Sequence, residues 1–509
     1  MGALLVMSSV TRGRDFQANL VVVAVAGGAS FLPGIPEVDL APELILGLVV
    51  PPLLYSASVR FSFFTFVRNL RPILGLGVGL VAVTTLVAGV TASWLLPSLG
   101  LASALVLAAV VSPPDTVTAV AHGRAMGLPR RVIDILTGES LINDAASLAV
   151  LASAVAAVGH DETFISNPVL LFGYAVVAGV STGILLGLAM SWIRARLLDS
   201  TLSAAFGVTL PFAAYAAAEQ FHASGVLAVV FAGFTVSART DYALRNSGTN
   251  IAHHVRLLEH DVWPVLDTLL EALVFGYIGF RLRFTLEDLD HSGQSMSSVA
   301  VLGLALLFVV IAVRLVWVSL LFARWALEVR VQRIGRDITG HLFPRMRGRR
   351  HRQKREPLQS TEALGARETL LVGWTGMRGI VTLAAASGIP LTTHDGSPFP
   401  HRAVIQFVAF IVVTGTLLLQ GSTLRVMTRL LRIDTTADER QEAEAVDRAL
   451  AIAHAADTAA GPRRDLDAQR SSLVDAIAKG HADGQAVRTV MRRIDLEEAL
   501  RETSEGPAH

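Results

Sequence analysis

The sequence predicts an all-α polytopic membrane protein, on three observations. Of its 509 residues, 52% are hydrophobic and only 17% are charged, with a mean hydropathy of +0.53. Soluble domains carry about 25% charged residues. The apolar residues gather into about twelve segments, each near the ~20 residues that cross a bilayer as a helix. The charges between these segments alternate in sign from one loop to the next.

The spans run approximately over 17–34, 41–58, 72–97, 101–121, 132–158, 166–193, 201–220, 223–238, 261–280, 297–323, 369–391 and 402–425. Gly-rich stretches such as Leu74-Gly75-Leu76-Gly77-Val78-Gly79 predict close helix packing. One set of loops holds Arg12 and Arg14; Arg60, Arg68 and Arg71; Arg124, Arg130 and Arg131; Arg194 and Arg196; Arg239, Arg245 and Arg256; and the basic run Arg345–Arg352. The other set holds Glu37 and Asp39, Asp161 and Glu162, and Glu287, Asp288 and Asp290, with Arg281 and Arg283 as its main basic exceptions. The positive-inside rule then places both termini in the cytoplasm of a plasma-membrane protein.

From about residue 433 the chain becomes charged and Ala-rich, broken by Gly461-Pro462. Asp438–Ala459 and Arg464–Arg493 have helical periodicity with mixed charge. The expected division is a transmembrane domain over 1–432 and a cytoplasmic helical tail over 433–509. The tail reads as a solvated appendage or as a regulatory or dimer-contacting element.

Composition also excludes functions. The chain has no cysteine, so disulfides, thiolate metal sites and cysteine nucleophiles are ruled out. No phosphate-binding loop of the Gly-x-x-x-x-Gly-Lys type is present. No cofactor and no nucleic-acid partner are expected. Met1–Val10 is short and apolar but lacks the basic leader and small-residue site of a cleavable signal.

The chemistry lies in three polar interruptions of apolar spans. The first is Gly138-Glu139-Ser140-Leu141-Ile142-Asn143-Asp144. An ionised group at the centre of a bilayer costs roughly 2.5–3.5 kcal/mol on insertion scales. Glu139 and Asn143 are four apart and share a helix face, and Ser140 and Asp144 share the adjoining one. Two carboxylates, a hydroxyl and an amide form a stripe of oxygen ligands suited to a hard cation. A helix-packing network is the alternative.

The second interruption is Ser112-Pro113-Pro114-Asp115-Thr116. Adjacent prolines remove backbone donors and disfavour continuous helix. Unwound backbone at this depth is tolerated where it lines a cavity, and its carbonyls can bind a cation. Asp115 either shapes that site or caps the segment restarting at Thr116. The third is Trp374-Thr375-Gly376-Met377-Arg378-Gly379, where an arginine sits between glycines in apolar sequence. It needs a partner, and Glu271 is the first candidate. That pair is either a static ion pair or part of transport. Arg314 and Glu219 are read as near span ends, where long side chains snorkel. Asp134 balances a helix N-terminus. His122 and His222 lack metal-ligand spacing.

With these motifs in this order, the chain resembles the electroneutral sodium/proton exchanger branch of the monovalent cation/proton antiporters. Residues 138–144 resemble that branch's Gly-Glu-Ser-Leu-x-Asn-Asp signature, 112–115 its Ser-Pro-Thr-Asp stretch and 374–379 its Trp-x-Gly-Leu-Arg-Gly segment. Leu44–Ser58, with Pro51-Pro52-Leu53-Leu54-Tyr55, fits an early span. The resemblance covers roughly 20–425. It implies two inverted repeats, a six-helix core, a dimerisation domain and a homodimer, with two unwound helices crossing near the membrane midplane. It implies Asp144 as cation and proton carrier, Glu139 and Ser140 as further ligands of the transported cation, and Asn143 at the position whose neutrality goes with one-for-one exchange. Asp115 and Arg378 would stabilise the crossing. Substrates would be the proton and sodium, with lithium or potassium as alternatives, in the service of pH and sodium homeostasis. A non-transporting sensor acting through the tail is the alternative of another class. Two departures stand out. The family's Thr is Pro114 here, which keeps a carbonyl and loses a hydroxyl. The family's first span is missing or reduced to Met1–Val10, which gives twelve spans and an inside N-terminus.

Overall fold

A computed structural model describes residues 15–505 except 38–41, 62, 116–127, 160–166, 198, 247–250, 292, 343–363, 394, 433–435, 461–465, 479–481 and 483. The described part is helical, apart from a single β-bridge between Thr392 and Pro398. The helices are α1 (Asp15–Ser30), α2 (Pro42–Leu48), α3 (Val50–Arg60), α4 (Phe63–Arg68) and α5 (Leu70–Leu95). Then come α6 (Gly100–Val111), α7 (Arg130–Gly159), α8 (Pro168–Arg194), α9 (Ser200–Gln220), α10 (Gly225–Asn246), α11 (Ile251–His291) and α12 (Met296–Leu342). The broken pair α13 (Ala366–Trp374) and α14 (Ile380–Ser387) precedes α15 (Arg402–Leu430). Three helices close the chain: α16 (Thr436–Ala460), α17 (Leu466–Ala478) and α18 (Gly484–Glu505).

Six helices among the described residues are long and apolar enough to cross a bilayer: α5, α7, most of α8 and α9, the first 33 residues of α12, and α15. Shorter apolar helices lie at Leu20–Ser30, Leu44–Arg60, Pro97–Val111 and Gly225–Arg239. The expected spans 261–280 and 369–391 fall on α11 and on the α13–α14 pair. Met1–Val10, Thr116 and the basic run at 345–352 lie outside the described residues.

Small residues set the helix spacing, because lipid gives apolar faces no reason to prefer one another over the bilayer. Gly179, Gly183 and Gly187 form a stripe along α8. A methyl at Gly179 would lie 2.6 Å from the Ser224 carbonyl oxygen, and one at Gly183 would meet that of Ala228. Helices α8 and α10 therefore touch backbone to backbone. In α5 the run Gly75–Gly79 widens into one π-helical turn. Trp317 Nε1 of α12 donates to the Gly75 carbonyl at 2.9 Å, and Ile142 of α7 packs on Gly77. This contact sets the height of α7, which carries the polar stripe.

The last three helices share a separate apolar core, including Ala449, Ala453, Leu473, Val487, Val490 and Ile494. Within it Arg470 bonds Asp495 at 3.0 Å and also pairs with Glu498. Helix α17 packs on α10 and α18 on α11, so this bundle is seated on the apolar helices. Glycine's absent side chain at the α8–α10 contact gives a first prediction. Gly183→Leu should destabilise the protein by about 1–3 kcal/mol or more through overpacking. Thermal unfolding in detergent measures this, and an unchanged transition would refute the close-packing account.

Candidate functional site

The site is the place where the end of one helix meets the break in another. Helix α6 ends at Val111, and Ser112-Pro113-Pro114-Asp115 continues it as non-helical chain. Opposite, α13 stops at Trp374 and α14 restarts at Ile380. Each break strands backbone groups that would otherwise pair within the helix, and buried backbone groups must be satisfied.

The two breaks satisfy one another. Pro113 has no N–H for the Ala109 carbonyl, and Ser112 Oγ donates to it instead at 3.1 Å. The Asp115 N–H leaves its own helix and donates to the Met377 carbonyl at 2.6 Å. That frees the Val111 carbonyl, which accepts from Arg378 Nε at 3.1 Å, while the Ser112 carbonyl accepts from Arg378 Nη2 at 3.4 Å. Arg378 Nη1 also closes on Gly376 O at 2.6 Å, and its backbone N–H donates to Thr416 Oγ1 at 2.9 Å. In return, Asp115 Oδ2 accepts from the Ile380 N–H at 3.3 Å. A cation thus sits at the C-terminal end of α6 and an anion at the N-terminal end of α14, the favourable arrangement for both helix dipoles. Gly379 makes the approach possible, since a methyl there would collide with the Asp115 carboxylate.

This geometry corrects the expected partner of Arg378. Its side chain is buried and bonds three backbone carbonyls rather than Glu271. Asp115 does cap a helix, but the helix is α14. A cap on a segment restarting at Thr116 falls outside the described residues.

Helix α7 supplies the polar stripe, and its four members point in different directions. Glu139 is fully buried and forms a two-pronged ion pair with Arg314 of α12, one prong at 3.1 Å. Arg314 Nη2 also donates to the Val372 carbonyl at the end of α13, at 3.1 Å. Here the structure corrects a second expectation. Arg314 lies at 0% exposure inside the helix bundle, near the middle of the apolar stretch Met296–Glu328, and does not stand at a span end. It also bears on the ligand role expected for Glu139, because both of that carboxylate's oxygens are engaged by a guanidinium. Gly376 leaves room for this arginine, since a methyl there would overlap it. Asn143 Nδ2 donates to the Pro114 carbonyl at 2.6 Å, tying α7 to the first break, and its Oδ1 is buried without a hydrogen bond.

Asp144 and Ser140 face the other way. Both line a cavity of about 330 Å³ with Asp115, Asp134, Thr137, Asp267 and Glu271, walled by apolar residues of α3 and by Ile380 and Val381. Asp144 is only 4% exposed. Among the described residues, no protein group hydrogen-bonds the Asp144 carboxylate or the Ser140 hydroxyl. Its charged neighbours are Asp115 and Glu139. Among the described residues, five carboxylates line this cavity against one basic side chain, Arg60, which bonds Asp267 at 2.6 Å. Ser56 Oγ holds the same Asp267 oxygen at 2.8 Å. Such a field concentrates cations and repels anions.

The structure thus places Asp144, Ser140, Asp115 and Glu271 around one cavity. Arg378, Glu139 and Asn143 lie behind its wall as supports. Reading the sequence alone missed Asp267 and underrated Asp134 and Arg314. Asp267 stands four residues before Glu271, a spacing that puts both on one face of α11.

A charge left buried without its partner is strongly destabilising. Arg314→Met should therefore cost about 3–5 kcal/mol in thermal unfolding. Combining it with Glu139→Leu removes both charges and should recover much of the loss. A single variant as stable as the parent chain would mean that the pair does not hold these helices.

Comparison with known proteins agrees with the geometry. A family model described as sodium/hydrogen exchanger, transmembrane matches residues 4–430. An uncharacterised Na+/H+ exchanger of Mycobacterium bovis is 31% identical over 428 residues, covering 83% of this chain and 72% of its own. A sodium, potassium, lithium and rubidium/H+ antiporter of Bacillus pumilus is 30% identical over 399 residues, covering 77% of this chain and 54% of its own. The sodium proton antiporter MjNhaP1 of Methanocaldococcus jannaschii shares the fold, with a TM-score of 0.59 at 15% identity over 84% of this chain and 96% of that one. These relatives are membrane transporters, not enzymes. The chain belongs to the sodium/hydrogen exchanger family.

Proposed function

We propose that this protein exchanges protons for sodium across the cell membrane, one for one, with Asp144 as the shared carrier of both. The observation that carries this reading is the setting of Asp144. Its carboxylate lies at the buried end of an acidic cavity and accepts no hydrogen bond from any described protein group. A carboxylate so placed is neutralised by taking up a proton or a metal cation. Ser140 adds a hydroxyl oxygen on the same face of α7. Hard monovalent cations prefer such oxygen donors.

Coupling follows from charge. With a proton or a cation aboard, Asp144 is neutral and its helices can move relative to the bilayer. Empty and ionised, the same movement carries a bare charge through a low-dielectric region and is disfavoured. Only loaded carriers cross, so one ion returns for each that leaves. Asn143 contributes no charge, which suits a one-for-one exchange. Asp115 and Arg378 hold the crossed breaks, and Glu139 with Arg314 braces α7 against α12 and α13. Basic loops support a cytoplasmic location for both termini and for the side on which the acidic cavity opens. The helices from Thr436 onward would then form a cytoplasmic tail, and a homodimer of twelve-span subunits is the assembly the family suggests.

Potassium, lithium and broad selectivity form the second reading. One observation favours it: the family's Thr is Pro114 here, and the Pro114 carbonyl already accepts a hydrogen bond from Asn143. A site with fewer hydroxyl donors discriminates less by size. The Bacillus pumilus relative's name carries four alkali cations.

The test is dissipation of an imposed pH gradient in proteoliposomes, with sodium, lithium or potassium added in turn. Asp144→Asn should abolish every cation-dependent response while the protein stays folded. Ser140→Ala should raise the apparent KM for the cation several-fold, with a smaller change in maximal rate. Full exchange by a folded Asp144→Asn protein would defeat the proposal.

A further inference from the structure

Besides the acidic cavity, the seam between α11 and α14 holds a second opening. It is small, about 30 Å³, enough for ordered water. Its polar lining is Arg281 and Thr285 of α11, Ser387 at the end of α14, and Gln406 of α15. The acidic cavity touches the same two helices through Asp267 and Glu271 of α11 and Ile380 and Val381 of α14. Along α11, Glu271 and Arg281 are ten residues apart, or about 15 Å of helix rise. Along α14 the two openings adjoin, with Val381 in the lining of the first and Leu383 in that of the second. Between them on α11 stand the buried Val274 and Phe275, which line neither opening; they share one apolar cluster with Ile380 of the first lining and with Ile278 and Leu383 of the second.

We infer that the α11–α14 seam is the route by which the site opens to the opposite side of the bilayer, and that Arg281 is the gate on that route. This rests on the exchanger reading above. An exchanger must open its site to each side in turn, and one side is already served by the acidic cavity. The second opening lies on the same two helices, displaced toward their other ends, with the buried Val274 and Phe275 of α11 between it and the acidic cavity. Its mouth holds a guanidinium that is 7% exposed and bonded to Glu37 at 2.9 Å, while Glu37 itself is about half exposed. A buried positive charge at the mouth opposes cations approaching from that side. Pairing with a surface carboxylate weakens this barrier and anchors the arginine in place. The neighbouring Arg283 Nη1 donates to Ser30 O at 3.4 Å, so α1 and α11 are tied at the same level. Helix α14 is eight residues long, bounded by the Gly379 break and by Gly388, and forms one wall of this passage.

The absence of native cysteine allows a direct test. Ser387→Cys places a single thiol at the second opening. In proteoliposomes, a positively charged, membrane-impermeant thiol reagent is added from one side and then from the other. The thiol should react from the side opposite Asp267 and be protected from the Asp267 side. Adding Arg281→Gln should raise the labelling rate at least several-fold from that side only. Glu37→Gln removes the anchor from the exposed partner and should also change that rate, which keeps the test open if Arg281→Gln fails to fold. Labelling only from the Asp267 side, or equal rates with and without Arg281 and Glu37, would overturn the inference. A chain that shows no cation-dependent proton flux would refute the exchanger reading, whereas normal flux with side-independent labelling would refute only the gate.

Discussion

The fold depends on one constraint: backbone groups freed inside a buried, apolar helix bundle must find partners within the protein. One helix ends here against the break in another, and each satisfies groups the other strands. Arg378 serves the carbonyls of Val111 and Ser112, while Asp115 serves the Ile380 N–H and gives its own N–H to Met377. The interaction is reciprocal, so it sets the angle and depth of the crossing together. The glycines at 376 and 379 are there because guanidinium and carboxylate pass where a side chain would stand. Everything else around the site hangs on this knot. Asn143 ties α7 to it through Pro114, and Arg314 ties α12 to it through Val372.

Much of this could be read from the sequence, because strong local chemistry marked it. Paired prolines announce a break, and glycines flanking an arginine announce another. Two acids in one apolar span announce function. What stayed hidden was long-range. Arg378 and Glu271 look like partners by charge alone, yet the guanidinium binds carbonyls that only become orphans once the crossing exists. The prolines removed donors for carbonyls one turn upstream. That was the available signal, and Ser112 and Arg378 answer it.

Arg314 was misplaced for a related reason. Helix α12 runs 47 residues, but its apolar stretch is Met296–Glu328 and Arg314 stands near the middle of it, so a buried position was legible in the sequence. What the sequence did not show was the partner that lets a guanidinium stay there. That partner is Glu139, which lies 175 positions away in sequence. Asp267 was hidden by the opposite effect. Its helix is polar enough that one more acid carries no surprise, and only the folded seam brings it beside Asp144's cavity.

Charge accounting in α7 joins these findings. Glu139 and Asp144 sit little more than a turn apart, and two free charges there would be intolerable at this depth. The structure resolves this asymmetrically. Glu139 is matched by Arg314 on both oxygens, so the ion pair is neutral as a unit and fixed in place. Asp144 has no such match among the described residues and faces the cavity. Of the two acids, only Asp144 can change its charge without breaking a structural bond. A carrier needs one variable charge set in a frame of constant ones. On the proposed reading the Glu139–Arg314 pair supplies that constancy, since it keeps the frame's net charge the same whether Asp144 holds a proton, a cation or neither.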